Sequence, residues 1–246
     1  MKKIAVILAA GKGVRMKGEL PKVFHNIAGK PMLEYVLDAA EKVDFDEIFA
    51  VVGHKSEVII EYFRGRKVTF VEQAEQLGTG HAVMQVEPFI KEKSLIIVLS
   101  GDMPFITDGT INKLIQTHLN SGAKATIVTA VLKDPGHYGR VVKGVKGEVK
   151  RVIEAKDADS DEKAITEINS GIYCFESQVL FDALKGINRD NAQGEYYLTD
   201  VIGIIVGKGM TVKALVLVDP TEAMGINTPE ELREAEVKMI ALRKGS

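Results

Sequence analysis

A chain of 246 residues with 46% hydrophobic and 27% charged side chains has the composition of a globular protein able to bury a substantial core. Its 32 basic and 34 acidic residues give a net charge of −2, which excludes a general nucleic-acid or membrane-surface binder and confines any basic site to a local patch. One cysteine, Cys174 in the apolar run "GIYCF", excludes an internal disulfide and reads as a core thiol. The opening apolar run stops at Gly11, too short for a spanning helix, and the protein is expected to be cytoplasmic.

The first strand is "IAVILA". It runs into "AGKGVRMKGELPKVFHNIAGKP", where Gly11 and Gly13 begin a dinucleotide fingerprint but Met16 stands at its third glycine, and no Walker A spacing follows. Ala9, Ala10, Gly11 and Gly13 leave backbone N–H groups open to an anion, and Lys12, Arg15 and Lys22 supply positive charge. Polyphosphate binding and an ordinary glycine turn with solvated charges both fit this stretch. A helix is expected from about Pro31 to Val43, with Pro31 in its first turn. "EIFAVV" is the second strand, followed by a helix that Ser56 can cap. "KVTFVE" is the third, and "GTGHAVMQV" opens another helix. "SLIIVLS" is a continuous apolar run, the pattern of a strand covered on both faces; it ends at "GDMP", before a helix from about Thr107 to Asn120.

This alternation predicts an α/β fold, a Rossmann-like doubly wound and mostly parallel mixed sheet. Beyond it "ATIVTAVL", "GRVVKG", "EVKRVIEA" and "EINSGIYCF" are strand-like with few helices between, and should add a smaller antiparallel subregion walling a pocket. Two further helices and the strand "TVKALVL" lead to "GINTPEELREAEVKMIALRKGS", an amphipathic helix from Pro229. The division expected is residues 1–228 as one domain and 229–246 as a terminal helix.

Ligands of doubly wound sheets bind beyond the carboxyl ends of the strands, which puts the glycine loop, "EQAEQLGTGHA" and "LSGDMP" on one edge. Asp102 is the leading acidic candidate there. Alone it reads as a turn aspartate; beside two glycine-bearing loops it reads as a magnesium ligand, because magnesium takes one or two protein oxygens and completes its shell from phosphate and water. His25, His54, His81, His118 and His137 have no metal-ligand spacing and read as surface or locally bonded side chains.

"LAAGKGVRM", "LPKVFHNIAGKPM", "EQAEQLGTGHAV", "GDMP", "YGRVV", "IEAKDA", "EINSGIY", "DNAQGEYYLTD" and "GINTP", in that order from Ile4 to Pro229, resemble the GlmU-type N-acetylglucosamine-1-phosphate uridylyltransferases, a branch of the sugar nucleotidyltransferases. The resemblance implies transfer of UMP from UTP to N-acetylglucosamine 1-phosphate, giving UDP-N-acetylglucosamine for cell-wall precursors and pyrophosphate. It implies nucleotide contacts from Leu8, Ala9, Ala10 and Gly11, with Arg15 and Lys22 on the phosphates as catalytic cations. Gln73 would read the uracil edge, Gly78 and Thr79 would line the base and ribose, and Ser100, Gly101 and Asp102 would also contact substrate. Asp102 and Asn227 would hold magnesium, and Gly139, Glu154 and Asn169 would bind the amino sugar. Taken singly, Gln73 and Asn169 also read as surface amides, Glu154 as a solvated strand-end charge and Asn227 as a helix cap. Relatives of this type continue into a β-helix of hexapeptide repeats that carries their trimer contacts. No such repeats occur here, so a monomer is expected. A glucose 1-phosphate or dTTP pyrophosphorylase, or a non-catalytic sugar-nucleotide binder, is the competing reading.

Overall fold

The computed structural model describes residues 1–11, 13–16 and 20–244; Lys12, one of the predicted loop cations, lies outside them. In chain order the strands are β1 (Lys2–Ala9), β2 (Asn26–Ile27), β3 (Lys30–Pro31), β4 (Glu47–Val52), β5 (Thr69–Glu72), β6 (Ser94–Ser100), β7 (Ala125–Val131), β8 (Arg140–Lys143), β9 (Val149–Ile153), β10 (Glu167–Glu176) and β11 (Val212–Val216). The helices are α1 (Met32–Glu41), α2 (Ser56–Tyr62), α3 (Thr79–Met84), α4 (Asp108–Ser121), α5 (Ser160–Lys163), α6 (Ser177–Leu184), α7 (Asp200–Gly207) and α8 (Pro229–Lys244).

The main sheet has the order β11-β7-β10-β6-β1-β4-β5, with the β8–β9 hairpin attached to β10. Pairings are parallel except those of β10, which runs antiparallel to both β6 and β7, and those of the hairpin. Both faces are covered. Side chains of α1, α2 and α4 pack with Leu95, Ile97 and Leu99 on one face; those of α3, α6 and α7 pack with Ile96 and Val98 on the other. The uninterrupted apolar run of β6 is thus explained by burial on both sides. Cys174 lies in this core, and burial pushes its thiol up, as a packing thiol requires. A third cluster joins α8 to the β2–β3 hairpin through Ile27, Met32, Phe105, Ile226, Ala235 and Met239. No described helix is long and apolar enough to cross a membrane.

Two helix starts differ from expectation. Ser56 is the first helical residue rather than the cap; the cap position belongs to Lys55, held in a left-handed conformation with φ 55°, and no side chain caps the helix. Pro31 precedes α1 instead of sitting in its first turn, because it still pairs with Asn26 in the β2–β3 ladder. α4 does carry a side-chain cap, Thr107 Oγ1 accepting from Thr110 N–H at 3.1 Å.

Candidate active site

The loops after β1, β5 and β6 meet at one edge of the sheet and enclose a cavity of about 520 Å³. Leu8, Ala10, Gly11, Lys22, Gln73, Gly78, Thr79, Ser100 and Asp102 line it. Strand alternation turns the Ala9 side chain into the core on the opposite face from Ala10, which leaves only its backbone to meet a ligand on this side. Gly101 is a backbone spacer. Its N–H donates to Leu8 O at 2.9 Å, and a Cβ there would stand 2.9 Å from the same oxygen. Gly78 has φ +110°, and a Cβ on it would meet Tyr196 O at 2.6 Å. Close approach is needed because the loop is laced to residues 196–198: Tyr196 N–H donates to Leu77 O, Gly80 N–H to Tyr196 O, and Leu198 N–H to Thr79 Oγ1.

Gln73 is 2% exposed, so it is no surface amide. Its Nε2 donates to Gly78 O at 3.1 Å and lies 3.0 Å from His81 Nδ1. With its amide nitrogen committed to these neighbours, the carbonyl oxygen is the part left to read a ligand donor.

At the mouth of the cavity Lys22 Nζ donates to Asp102 Oδ2 and, at 2.6 Å, to Asn227 Oδ1, which also accepts from Arg15 Nη2 at 2.9 Å. Lys22 and Asp102 are only 14% and 20% exposed at their side chains. Asp102 and Asn227, 125 positions apart, are brought together by a backbone bond, Ile226 N–H donating to Asp102 O at 3.1 Å. Thus a carboxylate oxygen and an amide oxygen already share one cation, the Lys22 ammonium. Hard neutral and anionic oxygens converging on a positive charge are a donor set that fits magnesium. No described group of three His, Cys, Asp or Glu side chains is arranged to hold a metal, so such an ion would take the rest of its shell from water and phosphate.

The antiparallel strand β10 approaches from the same edge and carries Asn169 there. Its register shifts between Asn169 and Tyr173, and Ser100 Oγ donates to Gly171 O at 3.3 Å across the irregularity. Asn169 N–H donates to Gly139 O at 2.9 Å, and β8–β9 pairing sets Arg140 opposite Ile153, next to Glu154. Gly139, Glu154 and Asn169 therefore form one patch, but they do not line the main cavity. Glu154 opens instead on a neighbouring cavity of about 390 Å³ with Asp157, Tyr197 and Asp200. Its Oε1 accepts from Thr199 Oγ1 at 2.9 Å, and burial, with Asp200, Asp157 and Glu195 nearby, pushes its carboxyl up. Burial also raises Asp200 and drives the Tyr197 phenol up to about 12. Asn169 Oδ1 and Tyr197 OH are buried with no protein partner, while Asn169 Nδ2 donates to Tyr173 OH at 2.7 Å.

Asp157, Tyr197, Thr199 and Asp200 belong to this neighbourhood and His137 to that of Asn227; none is among the expected site residues. "QGEYYLTD" and "HYG" adjoin quoted motifs, so proximity in sequence was the available signal. His137 is, as expected, a surface side chain with a bonded ring: its Nε2 lies 3.2 Å from Asn227 Nδ2, and partial burial lowers its basicity. His118 also meets the expectation: it is buried and bonded to Thr126 Oγ1 at 3.0 Å.

The fold is that of the nucleotidyltransferases. A UDP-glucose pyrophosphorylase solved with UDP-glucose matches it with TM-score 0.81 at 16% identity, over 98% of this chain and 99% of that one. HddC from Yersinia pseudotuberculosis, solved with GMP-PN, matches with TM-score 0.71 at 24% identity, over 96% and 99%. Residues 5–172 match the MobA-like NTP transferase domain, and the chain belongs to that family. It is 49% identical to the bifunctional protein GlmU of Shouchella clausii over 96% of this chain and 52% of that protein. The bifunctional protein GlmU of Clostridium botulinum (strain Loch Maree / Type A3) is 46% identical over 96% of this chain and 51% of its own length. The chain spans about half the length of these curated relatives.

Proposed function

We propose that the chain transfers UMP from UTP to N-acetylglucosamine 1-phosphate, releasing pyrophosphate and UDP-N-acetylglucosamine. The observation that carries this reading is the convergence of Lys22, Arg15, Asp102 and Asn227 at the mouth of a glycine-walled cavity. The likeness to GlmU relatives over 96% of the chain supports the choice of substrates.

The chemical difficulty is repulsion. A sugar phosphate, largely ionised at neutral pH with a second pKa of about 6, must approach a triphosphate. Its own oxygen is the nucleophile, so no side-chain base is required. Lys22 and Arg15 neutralise the phosphates, and the small residues Ala10 and Gly11 let backbone N–H groups approach them. Gln73 offers its amide oxygen to the N3–H of uracil, a donor that cytosine lacks. Asp102 and Asn227 would hold magnesium, which supplies further charge neutralisation when bound. Asn169 Oδ1 and the Tyr197 hydroxyl are acceptor and donor for sugar hydroxyl and acetamido groups, with Gly139 and Glu154 beside them. Alignment of the sugar phosphate with the α-phosphorus then gives in-line displacement of pyrophosphate. Residues 1–228 form the catalytic unit in this reading, and a nucleoside triphosphate substrate fits a cytoplasmic enzyme.

The test is pyrophosphate release across UTP, dTTP, CTP and ATP with several sugar 1-phosphates. UTP with N-acetylglucosamine 1-phosphate should be the best pair. Glucose 1-phosphate should fall behind, because polar groups built for the acetamido substituent stay unpaired. A preference for glucose 1-phosphate would overturn the sugar assignment, a preference for CTP or ATP would overturn the role of Gln73, and a preference for dTTP, whose base keeps the N3–H, would overturn the choice of UTP alone.

A further inference from the structure

An asparagine can ligate a cation only through its oxygen, and its amide turns over with little change of shape. At Asn227 the two ends of the amide have different neighbours. Oδ1 faces the Lys22 ammonium at 2.6 Å and the Arg15 guanidinium at 2.9 Å, both obligate donors. Nδ2 faces His137 Nε2 at 3.2 Å and Gly225 O at 3.4 Å. A turned amide would set NH₂ against two cations and leave both acceptors opposite an oxygen. The imidazole therefore accepts at Nε2 and carries its proton on Nδ1, the side on which Glu231 Oε1 lies 4.0 Å away.

His137 is itself fixed. Its ring stacks on Tyr138 with centroids 4.8 Å apart and 19° between planes. The Tyr138 hydroxyl accepts from Gly225 N–H at 3.0 Å, so adjacent residues hold the Gly225–Asn227 turn at two points. On the far side Glu231 Oε2 accepts from Asn227 N–H at 2.6 Å and from Thr228 N–H at 3.1 Å, tying the turn to the start of α8. The backbone of Asn227 is thus set by α8 and β6, and its side-chain orientation by His137.

We propose that His137 is a positioning residue: by accepting from Asn227 Nδ2 it holds Asn227 Oδ1 toward the divalent-cation site. The inference rests on the proposed pairing of Asp102 and Asn227 around that ion. Partners that orient metal ligands typically shift metal affinity by about 10–100-fold when removed. His137 touches only one of the two protein ligands, so the lower end is expected here.

The experiment measures Mn²⁺ binding by the enhancement of water-proton relaxation, at fixed pH with α,β-methylene-UTP kept below the protein concentration and the protein-free Mn²⁺–nucleotide complex as reference. Wild type is compared with His137→Leu, His137→Gln and Asp102→Ala, with thermal unfolding for each. His137→Leu should weaken Mn²⁺ about tenfold at unchanged Tm. His137→Gln should recover most of that loss, since the glutamine oxygen can stand near the Nε2 position and accept from Nδ2. Wild-type Mn²⁺ affinity in His137→Leu, with Asp102→Ala defective, overturns the role of His137 and leaves the metal pair intact. Equal weakening by Leu and Gln overturns it as well, because filling space would then matter rather than an acceptor. If wild type fails to bind Mn²⁺, or Asp102→Ala binds it normally, the metal pair itself falls and the inference falls with it.

Discussion

The wall formed by the loops after β1, β5 and β6 and the wall formed by β8, β9 and β10 use polar groups in opposite ways. On the first, partly buried charges answer one another: Lys22 bridges Asp102 and Asn227, and Arg15 joins them. On the second, polar groups are buried and incompletely answered. Asn169 Oδ1 and Tyr197 OH have no protein partner, and burial raises the carboxyls of Glu154 and Asp200. Buried unpaired groups cost stability, commonly about 1–3 kcal/mol each, and persist where a ligand satisfies them. In the proposed reading the first wall is organised for charge that arrives with the ligand, and the second keeps unfilled hydrogen-bonding capacity for the hydroxyl-rich sugar ring.

The sharpest way to break this contrast is Asp102→Ala. If the first wall serves charge rather than packing, turnover should drop by about 10²–10³, the cost typical of removing one preorganised electrostatic contributor. Tm should move little, since the side chain belongs to none of the core clusters and Lys22 keeps Asn227 as a partner. Near-normal turnover at limiting magnesium would remove Asp102 from the mechanism. A smaller effect is expected where the walls are laced together. Gly78→Ala places a Cβ 2.6 Å from Tyr196 O at φ +110°, and strain of this kind costs about 1–3 kcal/mol. Here stability and turnover should fall together, with Tm lower by roughly 5 °C. A variant with unchanged Tm would show that the Leu77–Tyr196 lacing yields freely, and the two walls would then move independently.

The same contrast decides what could be read from sequence. β6 and its "GDMP" turn were legible because a strand buried on both faces must be apolar throughout, and the loop after it must lie at the carboxyl edge. The antiparallel course of β10 was legible only as a change of pattern, since pairing direction depends on partners far away in the chain. Asn227 was assigned through resemblance; its approach to Asp102 rests on the single Ile226–Asp102 backbone bond, which no local pattern encodes. The partner of His137 is hidden for the same reason. One histidine between a proline-glycine turn and a strand carries no sign that a residue 90 positions away presents an amide to it. Ser56 is displaced from the cap position because a left-handed Lys55 stands there, a conformation that side-chain propensity argues against.

The smallest expected effect tests the second wall most directly, because it should be a gain. Glu154 is half-buried beside Asp200, Asp157 and Glu195, and no basic side chain is among the groups that perturb it; only the Thr199 hydroxyl stabilises its charge. Its carboxyl is therefore raised in the folded chain above the ordinary 4.5. Below that ordinary value both folded and unfolded chains hold the proton, and ionisation costs nothing. As pH climbs through the window up to the raised value, the unfolded chain releases the proton while the folded chain retains it. Folding then takes up a proton, so stability falls with rising pH, and above the window the full penalty is present. Glutamine removes the ionisation but still accepts from Thr199 through its amide oxygen. Glu154→Gln should therefore raise Tm at pH 7.5, and the gain should shrink steadily as pH is lowered toward 4.5. Thermal unfolding across that range reads the difference between the two chains, in which the other titrating groups largely cancel. The same variant should raise the KM for the sugar phosphate, because the carboxylate withheld from solvent is one of the groups proposed to meet the sugar. A Tm gain independent of pH would mean that glutamine packs better for reasons unrelated to charge. A loss at pH 7.5 would mean that the carboxylate is well solvated, and the contrast between the two walls would fail at its most exposed claim.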